Sequence, residues 1–220
     1  MTVSLPMVPD SEDQKRMYQA LGGGLVRWQF IETGLYLIAL PLMGTDPKTC
    51  SLTFFQIKAA ENKLAFVDRL IFHKLDQRTR KKAWAPILEE IRKAIEFRNS
   101  LAHFEMFILT DSELEKASPK TAFRAVLSPH HLDHRAKRGG TTKILSVETM
   151  EHNANELRKL SYRLMYFVVD HIPQTETLTA SLEPNLRQWL DSFRKRPRPQ
   201  GFEPPLRSSR PKDAPQKTES

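Results

Sequence analysis

Cysteine is almost missing from this chain: Cys50 is the one instance in 220 residues. A lone cysteine closes no disulfide within the chain and leaves no cysteine pair for a structural zinc. Long apolar runs are missing too. The longest, Leu35 to Met43, is nine residues and is broken by Pro41, against the roughly 20 that a membrane-spanning helix needs. The opening stretch, MTVSLPMVPDSEDQKR, has no apolar segment of the kind a secretory leader carries. The expectation is a cytoplasmic protein without a membrane partner. There is no glycine-rich phosphate loop and no Gly-x-Ser-x-Gly elbow. Gly22-Gly23-Gly24 opens no such motif and reads as a helix break. No internal repeat of fixed period is seen.

What is present is basic charge, unevenly spread. Lys and Arg total 34 and Asp and Glu 26, a net of +8. Residues 194–220 hold eight basic and three acidic residues, a net of +5, with six of the 15 prolines. The remaining body carries only +3. A segment so poor in apolar groups cannot offset its ordering entropy and is expected to be disordered. The run Arg194-Lys195-Arg196-Pro197-Arg198 could grip a phosphate backbone, or simply keep the end of the chain soluble.

The body, 1–173, reads mainly as helix. Ser11-x-x-Gln14 has capping-box spacing. Leu25, Trp28, Glu32, Leu35 and Ala39 fall on one helical face, closed by Pro41 and Gly44. Asp46-Pro47 is an N-cap followed by proline at the first helical position. Phe54, Ile57, Ala60, Leu64, Val67, Ile71 and Leu75 make one unbroken stripe and predict one helix. Pro86 with Glu89 and Glu90 starts another, with Ile87, Ile91, Ile95, Arg98 and Ala102 on its stripe. The last long helix follows Ser146 and runs to Pro173. Between them, HFEMFILT (103–110) and AFRAVL (122–127) predict a small β-containing insertion of about 104–145. Residues 174–193 predict a short amphipathic segment through Leu186, Trp189, Leu190 and Phe193.

Two charges sit where the stripes call for apolar residues: Glu32 and Arg98. A charge at a core-facing position is costly unless paired. Either the two pair or snorkel to the rim, or both open into one cleft. Around Arg98 the sequence is Phe97-Arg98-Asn99-Ser100-Leu101-Ala102-His103. Asn99 and His103 are neighbours on a continuing helix, whereas Arg98 and His103 would stand about 140° apart. A helix end within this stretch would bring them together.

This Arg98-x4-His103 motif, with a polar residue after the arginine and a helical setting, resembles the HEPN superfamily. The family's expression allows four to six residues between the arginine and the histidine, and Arg124 fits it twice, with five before His130 and six before His131, but Ala125 follows it and Pro129 intervenes. The resemblance spans roughly Leu25 to Pro173 by helix order, and its specific part is the FRNSLAH segment. It implies a bundle of four or more helices and, in many members, a metal-independent endoribonuclease of toxin–antitoxin or phage-defence systems. RNA, a second copy of the chain and an antitoxin or other protein are the implied partners; no cofactor is implied. Arg98 and His103 are the implied catalytic pair, Asn99 an orienting group, and Glu32 the implied acidic residue with Glu61 in reserve. One member group has a modified tyrosine two residues after the histidine; Glu105 stands here, so that regulation does not carry over.

The residue types suit RNA cleavage. Histidine titrates near neutrality and can move the proton of a 2′-hydroxyl. Arginine presents planar donors that match phosphate oxygens. One such pair is sparse for both acid and base, and the family resemblance implies two motifs meeting in a dimer. The other reading is a catalytically silent domain of the same type that binds RNA or a protein. A third is a metal-dependent nuclease built on His130, Asp133 and His134. That segment has no second well-spaced ligand group and reads rather as a basic or solvated loop.

Overall fold

The computed structural model describes residues 12–108, 125–129, 145–173 and 184–197. Among them the chain is mostly α-helical, with one small sheet. The expected capping box at Ser11, the His130–His134 segment and residues 198–220 lie outside the described residues.

Helix α1 (Glu12–Met43) is the longest element, 32 residues, or about 48 Å. Helix α6 (Val147–His171) makes the largest interface with it. The two run parallel. At one end Arg16 forks onto the carboxylate of Glu151 at 3.1 and 2.9 Å. At the other, Gly34 receives Leu164. The α6 side of this seam is Met150, Leu157, Leu164, Met165 and Val168, all buried. Ser146 caps α6, its hydroxyl accepting from the Thr149 amide at 3.3 Å, as the sequence predicts.

The glycine run does not break α1. Each interior glycine costs about 1 kcal/mol against alanine, and burial along α6 outweighs that. Gly24 has a packing reason: a Cβ there would lie 2.9 Å from Leu101 Cδ1. Pro41 also sits inside the last turn of α1, which ends two residues later, before Gly44 at φ +67°.

The predicted helix over Phe54–Leu75 is two helices. Helix α2 (Pro47–Gln56) is capped by Asp46 through the Thr49 amide at 3.0 Å. Helix α3 (Ala60–Lys74) begins after Ile57 has turned extended, and its N-cap Ala59 makes no side-chain cap. No proline, glycine or capping side chain marks the break, and the apolar spacing runs straight through it. The redirection is tertiary. Phe54 packs against Tyr36 at 5.7 Å between ring centroids, while α3 lies against α1.

Helix α4 (Gln77–Thr79) is capped by Asp76, which accepts from the Thr79 amide and hydroxyl at 2.9 and 2.6 Å. Those bonds hold the Asp76 carboxyl below its ordinary range. Their stabilisation is full above the unfolded-state value of about 3.9 and is lost as pH falls through the lowered folded value. A π-helical turn, Arg80–Trp84, links α4 to α5 (Ala85–His103). Pro86 explains it: proline has no N–H for the carbonyl of Lys82 and its ring crowds that carbonyl. Widening the turn relieves the clash without ending the helical path. Buried Trp84 donates to Asp68 of α3 at 2.8 Å.

The insertion is an antiparallel sheet in the order β1-β2-β3. Strand β1 (Phe104–Ile108) pairs with β2 (Ala125–Pro129), Phe104 opposite Pro129. A third strand, β3 (Leu145–Ser146), was not expected. Leu127 and Leu145 face each other and are buried in the helical core. Helix α7 (Pro184–Lys195) packs on α6 with Leu190 and Phe193 buried. It includes Arg194 and Lys195, two residues past the expected start of the tail. The helix is held by burial on its apolar face, which local charge does not reveal.

Glycine contacts separate two substitutions. A Cβ at Gly34 would sit 2.6 Å from Leu164 Cδ2 and 2.8 Å from its Cγ, in a fully buried seam. Gly34→Ala is expected to cost about 1–3 kcal/mol by overpacking. At Gly22 a Cβ meets nothing among the described residues, so Gly22→Ala is expected to gain about 0.5–1 kcal/mol. Urea denaturation of both variants measures the contrast.

Candidate functional site

Helix α5 carries Arg98, Asn99 and His103 in its last turns. The helix runs through His103, and the chain turns extended only at Phe104. The helix end therefore falls after the histidine, not between it and Arg98. The two backbone positions stay about 140° apart, with Asn99 about 40° from His103. The side chain of Arg98 narrows the gap. Its Nη1 donates to Asn99 Oδ1 at 3.3 Å, turning the half-buried guanidinium toward the Asn99 side.

Asn99 is held from its other end as well. Its Nδ2 donates to Glu61 Oε1 at 3.3 Å. Glu61 lies in the first turn of α3, where a carboxylate suits the helix dipole. Arg98, Asn99 and Glu61 thus form one hydrogen-bonded run across α5 and α3, open to solvent on one side. Such a run holds a cation with free donors beside an oriented amide and a carboxylate. That set can bind a phosphate and steer a nearby proton acceptor.

Glu32 plays a different part. Its Oε1 accepts from Lys63 Nζ at 3.0 Å, with Glu32 26% and Lys63 10% exposed. The same ammonium lies 5.4 Å from the Phe54 ring centroid and 5.5 Å from that of Phe55. The charge on the α1 stripe is therefore compensated by α3 and not by Arg98. Lys63 escaped the sequence reading because it lies beside the apolar stripe. The one available clue was that a stripe carboxylate demands a cation from a neighbour. Helix α3 thus points Lys63 toward α1 and Glu61 toward α5, two residues apart.

Among the described residues no group of three metal-ligating side chains occurs, and no helix is long and apolar enough to cross a membrane. Cys50 is fully buried, and burial, then the Asp46 charge, pushes its thiol up to about 11. It is not a nucleophile at neutral pH. No family model, curated protein or solved structure matches the chain.

Glu32→Gln is expected to lower stability by about 1–2 kcal/mol through loss of a charge-assisted bond. Adding Lys63→Met is expected to recover part of it, because no uncompensated ammonium is then left near the core. Urea midpoints of the single and double variants give the coupling.

Proposed function

We propose that the chain is a metal-independent endoribonuclease of the HEPN type, with Arg98 and His103 as its catalytic pair. The observation that carries this reading is the hydrogen-bonded run in which Arg98 and Asn99, in the last turns of a helix that ends on His103, are tied to Glu61 of α3. Arg98 engages the scissile phosphate and the charge that builds on it. His103 moves the proton of the attacking 2′-hydroxyl or of the leaving oxygen. Asn99 is a positioning residue: tied to Glu61, it fixes the guanidinium and shares a helical face with His103. Glu61, the reserve candidate, takes the acidic role that the family resemblance implied first for Glu32.

A single pair supplies one proton-transfer group, and in-line cleavage uses two. A twofold homodimer sets the same patch against itself and supplies the second histidine from the other copy. The substrate is RNA because its own 2′-oxygen is the nucleophile, and the product ends in a 2′,3′-cyclic phosphate. This chemistry involves no cofactor.

Purified protein incubated with mixed RNA tests the assignment. Wild type is expected to leave cyclic-phosphate ends, to spare the matching DNA and to tolerate EDTA. His103→Ala is expected to lose about 10²–10⁴ of the rate, and Arg98→Ala with His103→Ala to lose little more than one alone. Glu61→Gln is expected to cost more than Glu32→Gln. Persistent cleavage by a folded His103→Ala variant would reject the pair. Light scattering showing a strict monomer with RNA present would reject the composite site.

A further inference from the structure

A second basic feature lies along the α1–α6 seam. Gly22, Gly23, Val26, Arg27 and Phe30 of α1 face Arg158, Ser161, Tyr162 and Met165 of α6, with Phe193 and Arg196 closing one side. They bound an open groove of about 450 Å³. Arg27 lies about 140° round α1 from Glu32, so the groove is on the other side of that helix from the Glu32–Lys63 pair.

Three observations converge there. The first is charge: three guanidiniums line the groove, and among the described residues no carboxylate does. Gathering like charges is unfavourable until an anion joins them. The second is aromatic surface. Phe30 and Tyr162 are 41 and 38% exposed, beside the exposed aliphatic Val26. Tyr162 packs on Phe193 at 5.7 Å between centroids, and the Arg196 guanidinium lies 5.4 Å from the Phe193 ring centroid. The third is the glycine pair. Gly24 and Gly34 admit side chains of α5 and α6, but among the described residues Gly22 admits nothing and Gly23 only the Arg27 guanidinium, 3.5 Å from its Cβ position. Two residues of poor helix propensity inside α1, with no packing return among the described residues, mark a local rule broken for a purpose. Here it is a floor low enough for a ligand to reach.

We propose that this groove binds single-stranded nucleic acid, with phosphates on Arg27, Arg158 and Arg196 and a base stacked on Tyr162. Arginine and aromatic faces in alternation are how single strands are held without sequence readout. An acidic peptide would satisfy the arginines but would not call for the exposed ring. The chain's own C-terminal segment is a poor occupant, since residues 198–220 carry five basic and three acidic residues. The site does not depend on whether Arg98 and His103 cleave.

The test uses the full chain and a short fluorescein-labelled 2′-O-methyl oligouridylate, which has no free 2′-hydroxyl to attack. Anisotropy titrations over a salt series give affinity and slope, with oligothymidylate as the DNA arm. Arg27→Ala with Arg158→Ala is expected to weaken binding and to flatten the log–log salt slope by about 1.4, two single-strand phosphate contacts at about 0.7 each. Tyr162→Ala is expected to weaken it about tenfold with the slope unchanged. Gly22→Leu, whose Cβ meets no atom among the described residues, is expected to weaken binding by filling the floor, with a melting midpoint at or above that of wild type because leucine is the better helix former. Arg92→Ala, at a surface arginine of α5 paired with Glu89 and outside both sites, is expected to leave this binding intact, and because the oligouridylate cannot be cleaved, failure here is separable from failure of the cleavage reading. Wild-type affinity and slope in the folded double-arginine variant would overturn the proposal. So would polyglutamate that competes as well per charge while Tyr162→Ala is silent, which would make the occupant an acidic protein segment.

Discussion

The parallel seam between α1 and α6 is the constraint on which the rest depends. Parallel helices cannot be joined by a short turn, so everything between Met43 and Val147 serves as the return path. The seam's closest approach is Leu164 over Gly34, where no Cβ fits, and interiors packed at crystal-like density leave little room to adjust. With that contact fixed, the direction of α1 is fixed, and so are the faces it offers to α3, α5 and β2. The arginine-lined groove is the outer lip of the same seam, and the sheet is pinned beside it through Leu127 and Leu145.

Helix α3 is the crosspiece of the candidate site. Lys63 neutralises Glu32 on α1, and Glu61 ties Asn99 on α5. The first bond spares the core an unpaired carboxylate, which is expensive in a low dielectric. The second lies at the surface and adds little stability. It acts on geometry, turning the Asn99 amide so that its oxygen accepts from Arg98. One helix thus separates a stabilising pair from a positioning pair with two residues of sequence between them.

Basic charge is divided in the same way. Arg16 and Arg163 are engaged by glutamates that staple helices, to Glu148 and Glu151 and to Glu90 respectively. Arg98 is engaged by a neutral amide. Arg27, Arg158 and Arg196 meet around a groove lined by rings and glycine backbone. Arginines of the first kind hold the fold. The other two kinds keep donors available for an anion, one at the end of α5 and one on the opposite side of α1.

The sequence by itself determined whatever is written in short-range chemistry. Asp46-Pro47 and Ser146 start their helices because a side-chain oxygen reaches an amide three residues on. The change of period after His103 does become a strand, because alternation and β-branched or aromatic residues suit a pleated surface. Arg98 stood out because a charge on an apolar stripe needs a reason, and Asn99 because a polar residue directly after that arginine completes the resembling motif. Tertiary structure decided what depends on distant partners. It carried α1 through three glycines by burying it on α6. It split the Phe54–Leu75 stripe where no residue marks a break, because α2 and α3 pack on different parts of α1. It gave Glu32 to Lys63 and Asn99 to Glu61, pairings over 31 and 38 residues of chain. It gathered Arg27 of α1, Arg158 of α6 and Arg196 just past α7 into one groove, since periodicity shows which face a residue takes but not which other face will meet it.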